Sequence, residues 1–221
     1  MFHVEHAKNI EGLLVEGIKS IGLTLPVEAI EKFIVYFQEL SRWNAKVNLT
    51  SLVNEEDIVV NLFIDSLALS LSCDLSHSRS VIDIGSGGGF PGIPIKIAFP
   101  QTNVTLVEPR IKKTAFLHHI IGMLSIDGVS VKAQTIQEYT QGPGIGSSYD
   151  LAVSKAIKPE DIFPAVRSVL HQKSRVCLYR SYSLGQSDSY YDMELEREVA
   201  YELPYGHGSR MLSILKPAIV A

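Results

Sequence analysis

The sequence predicts an α/β fold: a seven-stranded, mostly parallel sheet with an antiparallel last strand, preceded by a small N-terminal helical layer. Three observations predict it. From residue 80 onward, short β-branched runs alternate with amphipathic helical runs, the pattern of a parallel sheet covered on both faces. No helical pattern separates the last two strand-like runs, so they should pair antiparallel. Before residue 75 the apolar spacing is helical instead. The layer is assigned to residues 1–75 and the α/β unit to residues 76–221, together one compact body, as 221 residues allow.

In chain order, "PVEAIEKFIVYFQEL" sets Ile30, Phe33, Ile34, Phe37 and Leu40 on one helical face, with Thr24 and Pro26 as its start. A second helix is expected from Val59 to Leu71, followed by the polar loop "CDLSHSRS". The strands are "SVIDIG", "NVTLVE", "VSVKA", "YDLAVS", "SRVCLYR", "REVAYEL" and "SRMLSILK". Between them, "IKKTAFLHHIIGML" aligns Leu117, Ile120, Ile121 and Leu124, and "PEDIFPAVRSVL" is a helix holding Pro164. "TQGPGIGSS" and "SLGQSDSYY" read as flexible loops near strand ends, where open α/β sheets bind ligands.

Composition narrows the function classes. Net charge is −4, which disfavours a general nucleic-acid binder. Residues 1–75 carry five Lys/Arg against eleven Asp/Glu, whereas residues 76–221 carry fifteen against thirteen, so any nucleic-acid surface is local. Cys73 and Cys177 stand far apart in no zinc pattern, which suits a reduced, cytoplasmic setting. No secretory signal pattern or membrane-length apolar run is seen. "HVEH" near the start is half a metal site without further ligands, so no metal is expected.

The chemistry concentrates in "VIDIGSGGGFPGIP", residues 81–94. Gly85, Gly87, Gly88, Gly89 and Gly92 are more glycine than a bare turn needs, since each costs conformational entropy. "GGGFPG" satisfies the dinucleotide pattern, which holds a pyrophosphate on free N–H groups. Pro91 and Pro94 stand among those positions and have no N–H to offer. "DIGSGGG" fits better the glycine turn that binds S-adenosylmethionine, a phosphate-free cofactor. Asp83 at the strand end suits its cationic parts. Glu108 ends the next strand, where an acid accepts the ribose hydroxyls of an adenosyl group.

"RWNAKVNLTS", "FIDSL", "VIDIGSGGGFPGIPIKIAFP" and "VSKA" together resemble the small-subunit (16S) ribosomal RNA guanine-N7 methyltransferases, also called glucose-inhibited division protein B. The resemblance covers most of residues 25–181. It implies a Rossmann-like class I methyltransferase sheet and S-adenosylmethionine-dependent methyl transfer to N7 of a guanine in 16S rRNA or the small ribosomal subunit. Carried over by position, Gly85 and Phe90 fall on loop contacts to the cofactor, and Ile136 and Gln137 fall beside its adenine. Lys155 is the candidate catalytic residue, near cofactor and RNA, and Arg180 falls on a basic substrate-side position. Arg110 and Lys112, with Lys113, are placed to track RNA phosphates, or else form a solvated helix face. A monomer is expected.

The sequence departs from the family at Asn61 and Leu62, usually a basic residue and His, at Lys155, usually Arg, at Gln137, usually an acid, and at Ser181, usually Gly. Arg-to-Lys keeps the charge but loses the planar fork. Two alternatives stay open: the same fold with another RNA or small-molecule acceptor, and an NAD(P)-binding oxidoreductase.

Overall fold

A computed structural model describes residues 2–75, 79–143, 145–146, 148–155, 157–184 and 190–218. The loops expected at 140–148 and 183–191, the polar loop at 73–80 and Ala156 of "VSKA" therefore lie partly or wholly outside the described residues, as do the side chains of "HVEH".

The helical layer comes first. Helix α1 spans Phe2–Ser20 and α2 spans Val27–Val47. Helix α2 buries Ile30, Phe33, Phe37 and Leu40 as the spacing predicts, and also Tyr36 and Glu39. It starts at Val27 because Pro26 itself, held extended at φ −67° and ψ 158°, is the capping residue; Thr24 contributes no cap. The next helix begins earlier than Val59, because the Asn54 side chain accepts the N–H groups of Glu56 and Asp57 and so starts α3 at Glu55–Ile58. The chain then passes through a π-type stretch, Val59–Ile64, the short α4, Asp65–Leu67, and a 3-10 turn, Ala68–Leu71. The wide turn of the π stretch carries Asn61 and Leu62, and such bulges often mark functional positions.

Seven strands follow: β1 Ser80–Ile84, β2 Asn103–Val107, β3 Val129–Lys132, β4 Tyr149–Lys155, β5 Leu170–Arg180, β6 Met193–Glu202 and β7 Ser209–Pro217. Their order is β3-β2-β1-β4-β5-β7-β6. All pairs are parallel except those of β7, which runs antiparallel to β5 and β6. This is the Rossmann-like arrangement predicted. Helices α5 (Gly92–Ala98), α6 (Ile111–Leu124), α7 (Ile136–Thr140) and α8 (Pro159–Val166) connect the parallel strands. Helix α6 buries Phe116, Leu117, Ile120 and Leu124, while Ile121 is half-buried.

One hydrophobic cluster runs from Leu14 and Phe33 of the layer through Val81 and Leu106 of the sheet to Leu212 and Ile214 of β7. The layer is thus fused to one face of the sheet. A second cluster, with Ile82, Phe163 and Val176, fills the other face under α7 and α8. The strand order reverses between β1 and β4, so the crevice at their C-terminal ends is where such a sheet binds ligands.

Candidate functional site

The glycine turn leaves β1 at that crevice. Its N–H groups are largely spent inside the protein. Gly85 and Ser86 donate to the Val107 carbonyl at 2.8 and 3.2 Å, and Gly89 and Phe90 donate to Ser86 at 2.7 and 2.9 Å. Gly87 donates to the Glu108 carboxylate at 2.9 Å, and Gly92 to Asp83 at 2.9 Å. Pro91 has none. Two carboxylates therefore occupy donors that a pyrophosphate would need.

The turn is also clamped from outside by the helical layer. The Tyr36 hydroxyl donates to the Gly88 carbonyl at 2.5 Å, and the Tyr36 ring stacks on Phe90 at 5.2 Å. Phe63 packs edge-on to Phe90 at 5.4 Å. The Phe90 side chain is thus buried in this aromatic group. Gly89 sits at φ 97°, and a Cβ there would lie 2.5 Å from Tyr36 Oη and 2.6 Å from Ile93 Cδ1. Gly89→Ala should lower unfolding stability by roughly 2–5 kcal/mol through backbone strain and overpacking. A urea midpoint equal to that of the parent protein would show that the clamp yields. Gly92 is fixed by space alone: a Cβ would stand 2.5 Å from Leu106 Cδ2 and 2.8 Å from Asp83 Oδ2.

Asp83 lies fully buried beneath the turn, with Oδ2 on Gly92 and Oδ1 without a hydrogen-bond partner among the described residues. Burial, aided by the neighbouring Glu108 charge, raises its pKa to about 7, against the lowering pull of the Gly92 and Ser86 bonds. The unfolded chain ionises Asp83 near pH 3.8. Because the folded value is the higher one, protonated Asp83 favours the folded state at low pH. That advantage should drain away as pH rises from about 4 and be gone above about 7. Relative to Asp83→Asn, the protein should lose up to about 4 kcal/mol across that window. Parallel stability–pH curves for the two proteins would disprove it.

Glu108 is 5% exposed at the end of β2. Oε2 accepts from Gly87 and Oε1 from the Arg110 N–H at 2.9 Å. Each oxygen keeps a second lone pair, so the oriented carboxylate can accept two ligand hydroxyls. The structure thus gathers Asp83, Gly85, Gly87 and Glu108 about one turn, with Glu108 bonded to Gly87, Asp83 to Gly92 and Gly85 to the Val107 carbonyl. Ile136 is buried at the start of α7. Gln137 is exposed, and its side chain donates to the Asp161 carbonyl at 2.7 Å, turning toward α8. Arg110 and Lys112 stand exposed at the start of α6, and the Lys113 ammonium lies 3.7 Å from where a Gly87 Cβ would be.

Lys155 ends β4. Its ammonium meets Asp65 Oδ2 at 2.6 Å, donates to the Asn61 carbonyl, and stands 5.8 Å from the centre of the Tyr179 ring. Asp65 Oδ1 accepts the Tyr201 hydroxyl at 2.5 Å. Burial and the adjacent Asp65 carboxylate hold the Tyr201 phenol protonated. Around Asn61 gather Arg210, donating to Oδ1 at 3.0 Å, and His207, with Nδ1 3.2 Å from Nδ2. Lys155 is therefore anchored to the helical layer, with one of its three N–H groups left for a ligand. Arg180 stands elsewhere, over the Tyr182 ring at 4.3 Å, lining an open groove with Lys158, Asp161 and Ser181.

Sequence reasoning assigned no role to Tyr36, Asp65 or Tyr201. Asp65 did carry a signal, a lone acid inside the apolar run "NLFIDSLALS". Tyr36 carried none, being one more aromatic on a helix. Trp43 packs on Phe116 at 5.6 Å, and His119 pairs with Glu39 at 2.7 Å. No group of three or more His, Cys, Asp or Glu side chains fit to hold a metal ion is found among the described residues.

The family model GidB, rRNA small subunit methyltransferase G, matches residues 29–206. A ribosomal RNA small subunit methyltransferase G from Caldanaerobacter subterraneus subsp. tengcongensis is 38% identical over 155 residues, 70% of this chain and 64% of that protein. The one from Roseiflexus castenholzii is 44% identical over 138 residues, 62% of this chain and 58% of its own. The chain thus spans less than two thirds of these relatives' length. Among solved structures, a mutant of MtNAS in complex with S-adenosylmethionine superposes with TM-score 0.58 at 15% identity, covering 95% of this chain and 78% of that one. A SAM dependent methyltransferase from Aquifex aeolicus does so at 0.56 and 12%, covering 76% and 97%. These two likenesses are of fold. The family match takes in both the glycine turn and α2, the helix that clamps it, and the chain belongs to the GidB family, rRNA small subunit methyltransferase G.

Proposed function

We propose that the chain transfers the methyl group of S-adenosylmethionine to N7 of a guanine in 16S rRNA, free or within the small ribosomal subunit. The observation that carries the cofactor is the turn itself. Its N–H groups are bound to Asp83, Glu108 and backbone carbonyls, which suits an adenosyl ligand without phosphate and disfavours NAD(P). Family membership supports small-subunit rRNA as the acceptor, and the sequence resemblance supports guanine N7 within it.

The residues fit such a ligand. Glu108 has a free lone pair on each oxygen for the ribose hydroxyls, Ile136 gives an apolar wall for adenine, and Asp83, buried beneath the turn, acts by holding the Gly92 N–H and not by touching the ligand. When bound, S-adenosylmethionine supplies an electrophilic methyl group. Guanine N7 carries a lone pair in the major groove, so no general base has to remove a proton first. What remains for the protein is alignment, which can lower a barrier by roughly 7–11 kcal/mol. Lys155, held rigidly by Asp65 and Asn61, directs its remaining N–H to a phosphate or base edge. Arg110, Lys112 and Arg180 contact RNA phosphates and make binding salt-dependent. Residues 1–75 act as the layer that holds the turn and Lys155 in place. The protein works as a monomer, and a ribosomal partner sets its compartment as the cytoplasm. None of the described helices is long and apolar enough to cross a membrane.

The test is methyl transfer from labelled S-adenosylmethionine to small subunits lacking the modification, with the product nucleoside identified by mass. 7-Methylguanosine is expected. Any other methylated product would give the acceptor to a different base or molecule. Thermal protection by NAD but not by S-adenosylhomocysteine would overturn the cofactor.

A further inference from the structure

The parallel strands carry the glycine turn at their C-terminal ends; a second cleft opens near the start of β4 and β5. It has a volume of about 250 Å³, and Cys73, Arg79, Asp150, Arg175 and Arg197 are among its walls. Cys73 follows the 3-10 turn that ends the helical layer and is half-buried. Its sulfur lies 3.9 Å from that of Cys177, which is fully buried in the middle of β5 between Val153 of β4 and Ile214 of β7. Both thiols are free.

The two sulfurs are chemically unequal. The hydrogen bond from Cys177 holds the Cys73 thiol below its usual range, against burial, and the guanidinium groups of Arg197, Arg175 and Arg79 add to the lowering. The same contact and burial push the Cys177 thiol well up. One sulfur is therefore accessible and inclined to the thiolate, and the other is enclosed and protonated. That is the asymmetry of a reacting and a resolving cysteine.

We propose that Cys73 and Cys177 form a peroxide-responsive thiol pair, in which Cys73 reacts first and Cys177 closes an intramolecular disulfide. The Cys73 thiolate displaces hydroxide from hydrogen peroxide: the S–O bond forms, the O–O bond breaks, and Cys73 becomes a sulfenic acid. The Cys177 sulfur then attacks Cys73. The S–S bond forms, the S–O bond breaks, and the hydroxyl leaves with the Cys177 proton as water. Two thiols lose two electrons in all, and one peroxide becomes two waters. A dithiol reductant reverses the change by exchange. The sulfurs must close to about 2 Å. The movement falls on the chain around Cys73, outside regular structure, because Cys177 is fixed by sheet pairing on both sides. The product ties the helical layer to β5, two residues from Tyr179, whose hydroxyl already donates to the Ser66 carbonyl at 2.7 Å.

The experiment titrates the full chain with hydrogen peroxide and follows thiol count and intact mass after alkylation. The expected result is joint loss of both thiols in a monomer lighter by two hydrogens, restored by dithiothreitol, at a rate roughly tenfold above that of glutathione at pH 7. Cys177→Ala should stop at a sulfenic acid on Cys73, trapped by dimedone, and Cys73→Ser should leave Cys177 unreacted. Retention of both thiols at doses that oxidise glutathione overturns the pair, as does a disulfide found only between chains. The wild-type mass alone decides this, so the outcome stands even if a variant folds poorly.

Discussion

Asp65→Asn is expected to destabilise the protein by roughly 3–5 kcal/mol, the cost of leaving one member of a buried ion pair alone. Asp65 and Lys155 meet at 2.6 Å with side chains 4% and 18% exposed, and Tyr201 adds its hydroxyl to the same carboxylate. Lys155→Ala should cost a similar amount and should reduce methyl transfer to RNA far more than cofactor affinity. Chemical unfolding and single-turnover transfer, measured on the same samples, separate the two effects. The double variant Asp65→Asn with Lys155→Met should regain most of the stability, because no buried charge is stranded, yet stay poor in transfer. Full recovery of transfer would remove Lys155 from substrate handling and leave it as a strut. A loss confined to cofactor affinity would likewise take it away from the RNA.

Glu108→Ala is expected to weaken S-adenosylmethionine or S-adenosylhomocysteine binding by roughly 1–3 kcal/mol, the range for hydrogen bonds to a charged group. The carboxylate has two tasks here. It would receive the ribose hydroxyls, and it already holds the Gly87 and Arg110 N–H groups. Glu108→Gln keeps an acceptor but offers a donor at the other position, so it should fall between the parent and alanine. Calorimetric titration of the three proteins gives the order. An unchanged dissociation constant for alanine would exclude Glu108 from the cofactor site.

Much of this was readable locally. The α6 face, the β1–glycine turn–α5 sequence and the antiparallel last strand follow from periodicity, from proline's missing N–H and from the lack of a helix between β6 and β7. The start of α3 at Glu55 lies outside the hydrophobic pattern, because the polar Asn54 side chain, and not an apolar face, sets it. The departures at Asn61 and Lys155 were visible as letters, but their meaning was not. In the fold the Asn61 carbonyl holds Lys155 while its side chain is met by Arg210 and His207.

The sequence by itself determined the strand–helix alternation and the glycine turn, which depend on residues within a few positions of one another, and the acid 21 residues beyond Gly87, which the end of the next strand marks. Only the tertiary structure decided that Tyr36 would clamp Gly88, that Tyr201 and Lys155 would share Asp65, and that Cys73 would face Cys177. The partners in the first of these are 52 residues apart, Tyr201 and Asp65 are 136 apart, and the two cysteines 104. Such pairs are chosen by how the helical layer packs on one face of the sheet, and no local pattern along the chain encodes that choice.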